Sequence, residues 1–269
     1  MQVIIRPTAA EALWLAARVM EKAIREKPDC TLGLATGRTM EGLYALLVKM
    51  YREEKLDFSL CRTFNLDEYI GLPPEHENSY RFYMNRHLFQ HVNIDIRNTH
   101  LPNGMAQDTQ KACAEYEQCI LDHGGIDLQL LGIGQSGHIG FNEPLSALRS
   151  RTRDKALTPV TVRENSEQFK DAAQMPKRAI TMGVGTILEC RRLLLLVTGA
   201  GKAAVLAKAV EGPITSMISA SAVQLHPHCT VICDAGAASC LKETEYYNWI
   251  YENEPEWAAF RAKLAGMKL

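Results

Sequence analysis

Along the chain, short segments that are apolar throughout alternate with longer ones whose apolar residues recur every three or four positions. "VII" at 3–5 predicts a strand. In the following "TAAEALWLAARVMEKAIREK", Thr8 and Glu11 have the spacing of a capping box, and Leu13, Ala16, Met20 and Ile24 fall on one helical face. Lys27-Pro28-Asp29 ends that helix. The pattern repeats with "CTLGLA" as strand and "TMEGLYALLVKMYREE" as helix, then "CRTFNL" as strand. A helix at 109–122 precedes the strand "IDLQLLG", and "RRLLLLV" as strand leads into "KAAVLAKAVE" as helix. "TVIC" at 230–233 closes the series, with a helical pattern beyond it. Strands apolar on both faces must be covered on both faces, so the pattern predicts an α/β fold: three layers, a mainly parallel sheet between helices.

No Pro/Gly-rich linker, low-complexity stretch or charge run divides the sequence. The expectation is one domain over 1–269 with a helical C-terminal tail at about 235–269. At 269 residues and 46% hydrophobic content, the chain is long enough to bury a full core. Thirty basic against thirty-one acidic side chains leave a net charge of −1, which gives no bulk attraction to nucleic acid or an anionic membrane. Any anion must therefore be met by local charge. The longest aliphatic run, "LLLLV" at 193–197, is far below the ~18 residues that suggest a membrane span. Cysteines at 30, 61, 113, 119, 190, 229, 233 and 240 lack CxxC pairing and read as reduced thiols of a cytoplasmic protein. The N-terminus lacks a signal-peptide pattern.

Four motifs fall just after predicted strands, where open parallel sheets build ligand crevices. In the first, Thr36-Gly37-Arg38-Thr39 leads into a helix; free backbone N–H groups, two hydroxyls and a guanidinium suit a phosphate. An ordinary capped turn would look similar, and this is not a Walker loop. The second, "VTGAGKAAVL", repeats the arrangement with Lys202 at the helix entry, where a cation is unfavourable unless an anion sits there. The third, "TFNLDEYIGL", sets Asp67 and Glu68 just past a strand. Asp67 is the better general base, since Glu68 should point the other way.

The fourth, "LLGIGQSGHIGFNEP", brings Ser136, His138 and Glu143 within eight positions. His138 can exchange a proton near neutral pH, and Glu143 can hold its other ring nitrogen. Ser136 could be read as a nucleophile, but "GQSGH" is not the GxSxG elbow. For metals, His87 and His91 lack the HExxH glutamate, and His226, His228, Cys229 and Cys233 match no common zinc spacing.

"FNLDEYIGL", "LLGIGQSGHIGFNEP", "GKAAVLAKAVEG" and "QLHPH" together closely resemble the glucosamine-6-phosphate deaminase (isomerase-deaminase) family, from "LGLATG" to about Asp234. The resemblance implies a Rossmann-like fold and conversion of an amino-sugar phosphate to fructose 6-phosphate and ammonia, without organic cofactor or catalytic metal. It makes Asp67 the base at C2 and His138 the ring-opening group with Glu143 as its partner. Thr36, Gly37, Arg38, Thr39 and Lys202 become the phosphate cradle. Three departures stand out: Ser136 where the family usually has aspartate or asparagine, Arg38 and Met40 where it has a small residue and proline, and Glu167 where it commonly has a phosphate-binding arginine. Galactosamine 6-phosphate or another amino-sugar phosphate as substrate, or a weakly catalytic sensor, are the alternatives these departures raise. Ser146, Arg153 and Lys155 match part of the family's allosteric site for N-acetylglucosamine 6-phosphate. Ala147 and Ala156 replace its hydroxyls, which leaves regulation and the accompanying homo-oligomer open.

Overall fold

The first helix illustrates how local signals set the frame. Thr8 caps it by accepting from the Glu11 N–H at 3.2 Å, and its apolar stripe buries Ala12, Leu15, Ala16, Met20 and Ala23 against the sheet. The predicted capping box is only half made: the Glu11 carboxylate turns instead to Arg6 at 3.1 Å. A neighbouring guanidinium outcompetes a backbone N–H for it.

The protein is described by a computed structural model covering residues 1–167, 169 and 171–265. Its strands are β1 (Gln2–Arg6), β2 (Thr31–Leu34), β3 (Arg62–Asn65), β4 (Asp67–Tyr69), β5 (Thr99–His100), β6 (Leu128–Leu131), β7 (Arg153–Ala156), β8 (Arg178–Thr181), β9 (Leu193–Val197) and β10 (Cys229–Asp234). The helices are α1 (Ala9–Glu26), α2 (Arg38–Glu54), α3 (Tyr80–His87), α4 (Thr109–Asp122), α5 (Pro159–Ser166), α6 (Val184–Leu188), α7 (Ala203–Val210), α8 (Ala235–Ala238), α9 (Thr244–Asn253) and α10 (Ala258–Ala265).

Seven strands form a parallel sheet in the order β1-β10-β9-β6-β2-β3-β5. β2 and β6 lie side by side, with Leu32 opposite Leu128. From β2 the chain continues outward through β3 and β5; from β6 it continues the other way through β9. That reversal opens a crevice at the carboxyl ends of the two central strands. The fold is thus the expected Rossmann-like α/β sandwich, with β6, β9 and β10 buried almost throughout and one main core running from Val3 to Phe260.

Beyond β10 the chain forms α8 to α10, and residues 266–269 lie outside the described residues. Trp257 donates to Gln2 at 3.0 Å, and the Arg6 guanidinium lies 4.5 Å from the Tyr251 ring centre, so the tail covers the β1 edge.

A second sheet, antiparallel in the order β4-β8-β7, was not visible in the sequence pattern. Its strands are three or four residues long and read "DEY", "RDKA" and "RAIT", too short and polar to show a period. A separate apolar cluster containing Tyr69, Phe141, Leu157, Phe169 and Met175 packs beside it. Asp67 begins the first strand of this small sheet and lines the crevice.

Candidate active site

The four segments that follow β2, β3, β6 and β9 converge on one cavity of about 540 Å³. Thr36, Gly37, Arg38, Thr39, Asp67, His138 and Lys202 all line it.

Gly37 takes φ +116 and caps α2 without a side chain, leaving the first N–H groups of the helix unclaimed by any capping side chain. Gly199, at φ +89, does the same for the turn Ala200–Lys202 that opens α7. The two loops touch through Thr39 and Thr198, whose hydroxyls are 3.3 Å apart. From below, Tyr83 donates to the Gly37 carbonyl at 2.8 Å, and the Asp234 carboxylate accepts from Gly199 N–H at 3.0 Å. Lys202 is half-buried; burial lowers its pKa, while the nearby Glu164 opposes that shift. The result is a cradle of backbone donors and hydroxyls beside one ammonium, fit for an oxyanion.

Arg38 reaches across the mouth of the cavity to Glu167 at 3.1 Å. Both are exposed, at 75% and 68% of their side chains, so the loops converge as the charge exchange between the two positions suggests. Glu167, however, neutralises part of the charge Arg38 could offer a phosphate.

Asp67 opens β4 and is 6% exposed. Burial, and secondarily the charge of Glu68, push its carboxyl up to about 8. Strand alternation sends Glu68 to the other side, where it accepts from the N–H groups of Tyr69, Tyr80 and Arg81, each at 2.9 Å, and so caps α3. Of the two adjacent acids, Glu68 is structural and Asp67 faces the cavity. The close neighbour of Asp67 is Gly140: a Cβ there would lie 2.9 Å from Thr181 Oγ1 and 3.3 Å from Asp67 Oδ2. At φ +56 the position resists a side chain on both counts.

The His138 ring lies flat against Gly134, where a Cβ would stand 2.2 Å from Nε2. Glycine at 134 is therefore what admits the ring. Nδ1 contacts Ser136 Oγ at 2.7 Å and Glu143 Oε2 at 3.1 Å, and Ser136 is 3.4 Å from the same carboxylate. Burial tends to raise the Glu143 pKa, but the His138 contact and bonds from Thr161 and Thr158 outweigh it and hold the carboxyl at about 2. A serine nucleophile and its orienting acid occupy opposite nitrogens of the histidine. Here Ser136 and Glu143 share Nδ1, which is not where a serine nucleophile would stand.

Sequence reasoning missed Thr158 and Thr161, which complete the Glu143 environment, as well as Tyr80, Tyr83, Thr198 and Asp234. "TPV" at 158–160 carries a helix-start signal that could have pointed to the threonines. The tyrosines sit on α3 with no local sign that they face the cavity. The allosteric matches are partly gathered: Arg153 donates to Asn142 at 2.8 Å and to Ser146 at 3.0 Å, and Lys155 follows two positions along β7, on the same strand face. The histidines rejected as ligands have other work: His226 lies 2.7 Å from the Cys190 carbonyl and accepts from the His228 N–H, while His91 contacts the Arg86 carbonyl.

An open parallel sheet with an anion cradle, a buried acid and a histidine lining one cavity is the architecture of an α/β enzyme that acts on an anionic substrate. The chain belongs to the glucosamine-6-phosphate isomerase/6-phosphogluconolactonase family, whose pattern it matches over residues 7–232. It is 48% identical over 250 residues to a glucosamine-6-phosphate deaminase of Hahella chejuensis, covering 93% of this chain and 95% of that one. It is 44% identical to a deaminase of the same name from Shewanella woodyi, covering 98% and 100%. A solved structure described as a monomeric glucosamine-6-phosphate deaminase superposes with a TM-score of 0.88 at 44% identity, covering 89% of this chain and all of that one. A 6-phosphogluconolactonase from Trypanosoma cruzi, at 19% identity and TM-score 0.70 over 90% and 97% of the two chains, shares the fold.

Proposed function

We propose that this enzyme is a glucosamine-6-phosphate deaminase, converting glucosamine 6-phosphate and water to fructose 6-phosphate and ammonia. The observation that carries the reading is that Asp67, buried with a raised pKa, and His138, backed by Glu143, line one cavity with two helix-start loops suited to phosphate. The phosphate binds Thr36, Gly37, Arg38, Thr39 and Lys202. His138 Nε2 moves a proton to the ring oxygen and opens the pyranose, because a proton α to a carbonyl becomes acidic only in the open chain. In its ionised form, whose share grows as pH rises toward about 8, Asp67 then takes the C2 proton and returns it to C1, while a proton passes from the amino nitrogen to O1, leaving an imine at C2. Water adds to that carbon and ammonia leaves, so no oxidant or reductant is consumed.

The same reading takes 1–269 as one domain in the cytoplasm, in keeping with eight free thiols, and needs no cofactor. Ser146, Arg153 and Lys155 remain its proposed regulatory residues. Light scattering decides between a monomer, as the 44% identical solved relative is described, and the homo-oligomer expected with regulation.

The Arg38–Glu167 pair favours a second reading, a different amino-sugar phosphate such as galactosamine 6-phosphate. Ammonia release over a panel of phosphorylated and free amino sugars tests both. Equimolar ammonia and fructose 6-phosphate from glucosamine 6-phosphate is expected. Release only from another amino-sugar phosphate would favour the second reading, and tight binding without release would favour a sensor; either result sinks the first.

A further inference from the structure

Away from the crevice, three side chains that no step above uses meet where α4 packs on the sheet edge. His100 ends β5, Cys119 lies on α4 and His123 is the C-cap of that helix; none lines the active-site cavity. One ligand atom from each lies within 4.8 Å of the other two. Cys119 Sγ is 3.8 Å from His100 Nδ1 and 3.7 Å from His123 Nδ1. Cys119 and His123 are four apart, so one helical face presents both. Both rings rest on Phe64, His100 stacked at 4.6 Å between centres and His123 edge-on at 5.8 Å, which fixes their approach. His100 Nε2 is buried without a hydrogen-bond partner among the described residues.

The spacing has a specific chemical meaning. A tetrahedral zinc ion with Zn–S of ~2.3 Å and Zn–N of ~2.0–2.1 Å puts sulfur and nitrogen about 3.6 Å apart. The observed 3.7 and 3.8 Å lie within the ~0.2 Å tolerance of a ligand set. A thiolate with two imidazoles is a donor set for zinc or cobalt(II) rather than for magnesium or calcium, which take oxygen ligands. His123 is the adjustable member. Its Nδ1 lies 2.7 Å from the Cys119 carbonyl. Coordination through Nδ1 exchanges that hydrogen bond for a metal bond, while ring rotation offers Nε2 instead.

We propose that His100, Cys119 and His123 bind one thiophilic divalent metal ion of the zinc class, with water in the fourth position. The ion would tie α4 to β5. One turn before Cys119, Tyr116 donates to the Asn65 carbonyl at 2.6 Å, at the end of the strand that leads to Asp67. The site is thus a brace on the β5 edge of the parallel sheet, beside the strand β3 after which the chain reaches the base. It takes no part in the chemistry and stands whether or not the deaminase reading holds.

The test uses the full chain, treated with chelator, in a Cys240→Ser background that removes the exposed thiol. Titration with cobalt(II) should saturate at one equivalent with the visible bands of tetrahedral cobalt and a near-ultraviolet thiolate charge-transfer band. Zinc should displace it stoichiometrically and raise the melting temperature. Cys119→Ser should abolish the charge-transfer band, and His100→Asn should weaken cobalt binding at least ~10-fold. The second variant decides the matter if the first does not fold. Absence of the charge-transfer band in the parent, or cobalt binding unchanged in the variants, would overturn the proposal.

Discussion

Asp67 keeps its proton in the folded protein up to about pH 8, whereas the ordinary value is 3.8. Between those values the folded state holds a proton that the unfolded chain has released. Its burial therefore costs stability that grows as pH rises from about 4 to about 8, then levels off. Asp67→Asn cannot ionise and escapes that cost. Its advantage over the parent should be near zero at pH 4 and on the order of 4 kcal/mol at pH 7, read by urea denaturation across that range. A pH-independent difference would mean that the folded carboxyl titrates normally. The same variant should lose ~10²–10⁴ in turnover with substrate binding nearly intact. Ser136 supports a different forecast. Because it shares Nδ1 with Glu143, Ser136→Ala should retain turnover within about tenfold, where loss of a nucleophile would cost ~10⁴ or more. Ser136→Asp adds an anion beside the imidazole and favours its charged form, so the alkaline limb of the pH–rate profile should move upward. A profile that does not move, in a folded variant, would show that position 136 does not address His138.

The elements that hold these residues differ in how plainly the sequence announced them. Loops after β2, β6 and β9 were legible because a run such as "LLLLV" ends abruptly in glycine and a new periodicity begins. The β4-β8-β7 sheet was not, since its strands are defined by pairing between distant segments such as Asp67 with Thr181, and "DEY" alone carries no period. Asp67 could still be chosen over Glu68 while the sheet it begins remained unseen. The ion pair from the start of α2 to the end of α5 gives a prediction at this scale. Arg38→Gly should raise KM for phosphorylated substrate about tenfold and leave affinity for unphosphorylated analogues unchanged. Glu167→Gln, by freeing Arg38, should lower KM, and Glu167→Arg in the Arg38→Gly background should restore it. Equal weakening of phosphorylated and unphosphorylated ligands by Arg38→Gly would remove Arg38 from the phosphate site.

At the level of the whole molecule, alternation of apolar strands and amphipathic helices was enough to name the layers, but not the order of strands. The pattern of "VII" at 3–5 says that β1 is buried; it cannot say against what. Its partner is β10, with Val3 opposite Val231 and Ile4 opposite Ile232. This pairing links the earliest strand to the latest, with Gln2 opposite Thr230, and it sets a timetable for biosynthesis. At ~5–20 residues per second, β1 waits roughly 10–45 seconds after leaving the ribosome before its neighbour exists. Until then its apolar side chains and its unpaired backbone N–H and C=O groups are open to other nascent chains, so the sheet can close correctly only after β10 has been made.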